Sequence, residues 1–188
     1  TALSVLSEDR CFPLVCDLAG ADDLPAIFAT QNTEHGLPRR SKAKAGTRIT
    51  SFFGMIPNFE PEMILPKLAS LVGPADWLLF SANLAPGKDY DAGVGKILPQ
   101  YDNPLTRDWL LAFLFDLGIE PGDGELRFSI EEVNALKRVE ARFHFQHPRA
   151  VSVDNERFHF GVDDSIRLFF SSRYTPELVR TYFERHGL

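Results

Sequence analysis

Three short apolar runs fall within the first 84 residues, separated by segments of helical spacing. That alternation constrains the fold more than any other feature of the chain. CFPLVCDL (11–18) has an acid, Asp17, near its end, TRITSFFG (47–54) ends in glycine, and DWLLFSANL (76–84) is the third. Runs of this length and composition suit strands covered on both faces in a parallel sheet. Between the first two, DDLPAIFATQ (22–31) reads as a helix, with Asp22 or Asp23 as N-cap and Pro25 in its first turn. EPEMILPKLASLVG (60–73) carries Met63, Ile64, Leu68, Leu71 and Val72 at helical spacing, with Pro66 as a kink and Gly73-Pro74 as its stop. Strand–helix–strand–helix–strand implies parallel β/α units with right-handed crossovers. The basic stretch GLPRRSKAKAG (36–46) reads as a solvated connection, with a nucleic-acid or anion patch as the competing reading.

The pattern changes after residue 84. APGKDYDAGVGK (85–96) reads as a flexible loop, and TRDWLLAFLFDLGI (106–119) as an apolar helix with Thr106 as N-cap and Gly118 near its end. From residue 125 onward, ELRFSI, RVEARFHF and RFHFGV alternate apolar and polar side chains, as antiparallel strands do. SIRLFFSSRY (165–174) continues that pattern. TPELVRTYFERHG (175–187) closes with a helix capped by Thr175, Pro176 taking its first position. The expected fold class is α/β: a partial Rossmann-like sheet followed by an antiparallel, β-rich section.

Bulk properties exclude some functions. A length of 188 residues suits one domain with a real core, and 16 Phe make that core aromatic. A net charge of −6 argues against a nucleic-acid partner, because phosphate needs a basic face. No apolar run is long enough to span a bilayer, and no signal peptide is visible. Cys11 and Cys16 would face opposite sides of a strand, so they read as reduced thiols in a cytoplasmic protein.

In an open α/β sheet, ligands bind at the carboxyl ends of the strands. Asp17 and the turn Gly54–Asn58 both lie at such ends. The Asp17 carboxylate could accept hydrogen bonds from a ribose or an adenine amino group, or simply cap a loop. Gly54 allows close approach of backbone to a ligand, and Asn58 carries both a donor and an acceptor; a plain turn with Asn58 as N-cap is the competing reading. His144 and His147 lie three apart and face opposite sides of a strand, and His159 is isolated, so no metal site is expected. AGVGK (92–96) lacks the spacing and hydroxyl residue of a phosphate loop.

Several segments, in order, resemble one family, the histidine-specific S-adenosylmethionine-dependent methyltransferases, typified by the ergothioneine-pathway histidine N-alpha-methyltransferase. Asp17-Leu18 is similar to the acid and apolar residue that bind adenine in that family. Phe52-Phe53-Gly54-Met55-Ile56-Pro57-Asn58-Phe59 is similar to its Phe-Leu-Gly-Ser-Thr-Ile-Gly-Asn-Phe segment. Asn83-Leu84-Ala85-Pro86 stands where it has Asp-Leu-Val-Lys. Tyr101-Asp102 fits its Tyr-Asp element, Arg138-Val139-Glu140 its Arg-Ile-Glu strand, and Ile166 to Thr175 its Ile-Arg-Thr-Glu-x-Ser-x-Lys-Tyr-Thr ending.

The resemblance implies a class I methyltransferase with S-adenosyl-L-methionine as cofactor. It implies a partial methyltransferase core over 1–98, a substrate-binding helix and antiparallel strands over 99–173, and a returning core helix over 174–188. Asp17, Leu18, Gly54 and Asn58 would bind the cofactor. Tyr101, Asp102, Phe169 and Ser171 would bind the acceptor, Tyr101 and Asp102 orienting it unless they are only a structural turn. No residue is implied as catalytic, since methyl transfer to a neutral amine needs no general base. The departures matter equally. Phe169 replaces the family's histidine-binding Glu, and Trp109-Leu110 replaces its Phe-Asn pair. Histidine is therefore not the expected acceptor; a small-molecule amine or amino-acid-like acceptor is expected instead, and an apolar or aromatic one suits Phe169 and Trp109 better. The family's glycine-rich turn would precede Thr1 and its last strands would follow Leu188, so the chain is expected to be incomplete at both ends, with open sheet edges that favour self-association. A non-catalytic interaction module that keeps the fold is the rival reading.

Overall fold

The computed structural model describes residues 15–21, 23–26 and 47–188. Cys11, Asp22, the basic stretch 36–46, residues 11–14 of the first expected strand and 27–31 of the first expected helix lie outside the described residues. The chain is mixed α/β and divides into two compact units. Described residues of Thr1–Phe52, together with Glu60–Phe80 and Tyr182–Leu188, form the first; Phe53–Phe59 and Ser81–Thr181 form the second.

In the first unit, β1 (Ile49–Phe52) pairs in parallel with β2 (Trp77–Phe80), Ile49 opposite Trp77 and Phe52 opposite Phe80. Two of the three expected parallel strands are thus present. The described end of the third, Val15–Leu18, is not strand. There the Asp17 side chain accepts the Ala19 N–H at 2.9 Å, and its carbonyl accepts that of Ala21, also at 2.9 Å. The short polar side chain offers the backbone a turn in place of a ladder. Asp23 caps the following turn as expected, accepting the Ala26 N–H at 3.0 Å.

Helix α1 (Pro61–Leu71) buries Ile64, Leu65 and Leu68 on one face. Its N-cap is Glu60 with Pro61 at the first position, not Asn58. Pro61 presets the helical φ and has no N–H to satisfy, which fixes the start there. Lys67 reaches from α1 to the Ala19 carbonyl at 2.7 Å and also bonds the Ala21 carbonyl, fastening the Asp17 turn.

The second unit is built on an antiparallel sheet of order β3–β4–β7: β3 (Gly124–Val133), β4 (Leu136–Phe145) and β7 (Ser165–Arg173). β5 (Arg149–Val153) and β6 (Glu156–Phe160) form a separate hairpin, of which only β6 carried a clear alternating signal. Segment 85–96 is not all loop: α2 (Tyr90–Tyr101) starts inside it. Asp89 caps α2 by accepting the Ala92 N–H at 3.0 Å. Gly93, which reads as a loop residue, is there because a Cβ would run into the Pro86 carbonyl. Helix α3 (Pro104–Asp116) is capped by Asn103, not Thr106: the Asn103 side chain accepts the Thr106 N–H at 3.1 Å and Pro104 takes the first position. Helix α4 (Pro176–Arg185) starts as expected, Thr175 Oγ1 accepting the Leu178 N–H at 3.2 Å.

The two faces of the β3–β4–β7 sheet differ. Leu126, Ala141 and Phe143 point to one side and form a core with Leu110 and Leu114 of α3. The other side carries Arg138 and Glu140, both buried. The Tyr90 hydroxyl joins two strands at their ends, accepting the Lys137 N–H at 2.7 Å and donating to the Arg173 carbonyl at 2.6 Å. Among the described residues, no helix is long and apolar enough to cross a membrane.

Each unit carries a carboxylate whose pKa is lowered by folding. Asp76 is held well below its ordinary 3.8 by the Arg48 side chain first, then by the backbone N–H groups of Arg48 and Gly73. For Asp123 burial pushes upward, but the Arg149 guanidinium and the Glu120 N–H outweigh it and lower the value from 3.8. A lowered folded pKa gives stability that is complete above the unfolded value and lost as pH falls through the folded one. Thermal stability should therefore fall steeply below pH 3.8. Asp76→Asn should be less stable than the parent at neutral pH, with the gap closing in acid. Melting temperatures across a pH series check both; a constant gap would refute the Asp76 assignment.

Candidate functional site

The residues expected to bind the acceptor lie in the second unit, and three of the four meet. Tyr101 is the last residue of α2, and Phe169 and Ser171 lie two apart on β7, which places them on one face of the strand. The Tyr101 hydroxyl donates to Ser171 Oγ at 3.3 Å, and the Tyr101 and Phe169 rings approach to 5.1 Å between centroids. Ser171 is only 1% exposed. The sequence reading missed a fourth member, Arg173, on the same face of β7. Its guanidinium donates to the Tyr101 hydroxyl and lies 5.3 Å from the centroid of that ring. The period-two spacing of 169, 171 and 173 was the available signal, but a cation next to a buried serine reads as a surface residue.

Asp102 does not join this cluster. Its carboxylate accepts from Arg107 Nε at 2.6 Å, and Arg107 in turn donates to the Leu126 carbonyl at 2.9 Å. Through Arg107, Asp102 is tied to β3 at the α2–α3 corner. Trp109 is 67% exposed on the outer side of α3, while its neighbour Leu110 is in the core. Leu105, Trp109 and Phe113 recur at helical spacing and are all exposed.

The residues expected at the cofactor are divided between the units. Asp17 and Leu18 belong to the first, Asp17 exposed with Oδ1 engaged by its own turn. Gly54 and Asn58 belong to the second. Gly54 has φ +72°, a left-handed conformation that favours glycine, and a Cβ there would meet nothing within 4 Å. Its N–H donates to Ser81 Oγ at 2.7 Å. The turn continues as a short 3-10 helix, Ile56–Asn58, in which Ile56 and Pro57 are buried and Asn58 is exposed. This turn lies against β7. The segment Asn83–Ala85 also meets the end of β7: the Tyr174 N–H bonds the Asn83 carbonyl and the Ala85 N–H the Tyr174 carbonyl, both at 2.9 Å.

The cluster can make three kinds of contact: hydroxyl hydrogen bonds, a flat aromatic surface, and attraction from one guanidinium. It offers no nucleophile paired with a base and no acid–base pair. No family model matches the chain, and no curated protein matches it.

Proposed function

We propose that this is an S-adenosylmethionine-dependent methyltransferase with a partial Rossmann-like core, acting on a small-molecule amine or amino-acid-like acceptor other than histidine. The observation that carries the reading is the convergence of Tyr101, Phe169 and Ser171, which the resemblance assigns to the acceptor from segments 68 or more residues apart. When bound, the cofactor supplies an electrophilic methyl on a sulfonium. The protein's part is to position and desolvate the acceptor. Ser171 and Tyr101 give it oriented hydroxyls, and Phe169 excludes water from one side. The open space at Gly54 fits close approach of a ligand to the backbone. Asp17 and Leu18 stand for adenosine contacts, and Asn58 for the turn.

A non-catalytic binding module is the second reading. It is favoured by two groups that already have internal partners: Asp17 Oδ1 with the Ala19 N–H, and the Gly54 N–H with Ser81. Calorimetric titration with S-adenosylhomocysteine separates the two. The methyltransferase reading expects saturable binding that Asp17→Ala weakens by roughly tenfold or more, as befits loss of a charge-assisted hydrogen bond. Absence of binding would leave the interaction module.

A further inference from the structure

Arg173 is 5% exposed and, among the described residues, no carboxylate pairs with it. Other arginines differ: Arg48, Arg107, Arg142 and Arg149 each hold an acid. Of the five N–H groups of a guanidinium, Arg173 directs one from Nη2 to the Tyr101 hydroxyl, and its buried Nε has no partner. Burying a cation without a counter-charge is costly. The cost becomes affinity if an anion arrives, because no protein carboxylate must first be displaced.

We propose that Arg173, with the hydroxyls of Tyr101 and Ser171, binds the carboxylate of a small organic ligand whose apolar part lies against Phe169. A carboxylate matches the side-on fork of a guanidinium in charge and plane. One guanidinium and two hydroxyls provide too little positive charge for a phosphate dianion. Tyr101 is the present acceptor for Nη2, so a carboxylate oxygen takes its place and the phenol then donates to the ligand. The inference rests on the methyl-transfer reading only in identifying this ligand with the acceptor.

The test titrates the full chain with phenylacetate, phenylacetamide and inorganic phosphate, by calorimetry or chemical-shift perturbation, without cofactor. Phenylacetate should bind roughly tenfold or more tighter than the amide, as expected when a charged partner replaces a neutral one. Arg173→Met should erase that preference while keeping or raising the melting temperature, because a neutral chain replaces an unpaired buried charge. Tyr101→Phe should weaken phenylacetate by a few-fold. Equal binding of acid and amide, no binding of either, or tighter binding of phosphate would overturn the assignment. So would a large fall in melting temperature for Arg173→Met, which would mark Arg173 as structural. Repeating the titration of S-adenosylhomocysteine on the same sample keeps the two readings apart. Loss of cofactor binding with the acid preference intact refutes only methyl transfer, and the converse refutes only this site.

Discussion

Glu140→Ala should cost about 3–5 kcal/mol of stability, the range found when one member of a buried ion pair is removed. Glu140 is 1% exposed at the centre of β4, opposite Ser129 on one side and Phe170 on the other. Arg138 Nε contacts Oε2 at 2.9 Å, and Arg142 Nε bonds Oε1. Arg138 also lies 5.1 Å from the Phe170 ring centroid, with Arg167 at 4.6 Å. Removing the acid takes away the carboxylate that both Arg138, 10% exposed, and Arg142 contact. Glu140→Gln should cost less, because an amide oxygen still accepts. The double change Arg138→Met with Glu140→Leu should recover much of the loss, since apolar replacement of a buried pair is often tolerated. Chemical denaturation of the three variants decides. A loss for Glu140→Ala below about 1 kcal/mol, the scale of an exposed pair, would refute this role.

The pair was legible in the sequence, but its meaning was not. Arg138, Glu140 and Arg142 recur with period two, so a strand puts them on one side. The resemblance singled out Arg138-Val139-Glu140 as a family element without saying what it does. The low exposure of Arg138 and Glu140 shows that this polar side is buried, and no local pattern reports that.

Other misses have local causes. Helix α2 was hidden because 85–96, in which it starts, reads as a flexible loop, yet Gly93 is fixed by the approach of the Pro86 carbonyl rather than by a need for flexibility. The start of α3 was readable from Asn103-Pro104, and Thr106 drew attention only because the apolar run begins after it. The long elements came through. β1, α1, β2, β3, β4, β7 and α4 fall within a few residues of their expected spans, since each carries either a sustained period or a strong stop. At the site, Tyr101, Phe169 and Ser171 converge from a resemblance spread along the chain, whereas Asp102 is taken by Arg107, an arginine whose position five residues later gave no warning. Arg173 was missed for the opposite reason: burial of a cation cannot be read from a strand's alternation.

Gly124→Ala should rank with the loss of Glu140, costing about 3 kcal/mol, the upper end of the range for overpacking. Gly124 opens β3 opposite Phe145. A Cβ there would fall inside the van der Waals shell of the His144 carbonyl and 2.7 Å from Cε1 of Phe143. A side chain could step aside, but the carbonyl belongs to the β4 backbone, and Phe143 is 1% exposed in the core. Relief therefore means parting the first residues of β3 from β4. That shift also pulls on Asp123, whose carboxylate holds the Arg149 guanidinium at 2.5 Å and the Glu120 N–H at 2.7 Å. Gly122→Ala is the control: a Cβ there meets nothing within 4 Å. It should be neutral or stabilise by a few tenths of a kcal/mol through the unfolded chain. For a chain of this size the Gly124→Ala cost corresponds to a fall of about 6–12 °C in melting temperature. Equal melting temperatures for the two variants would show that β3 does not need the close approach. A fall confined to Gly124→Ala, with Asp123→Ala losing little beyond it when combined, would place both residues in one locking unit at the start of the strand.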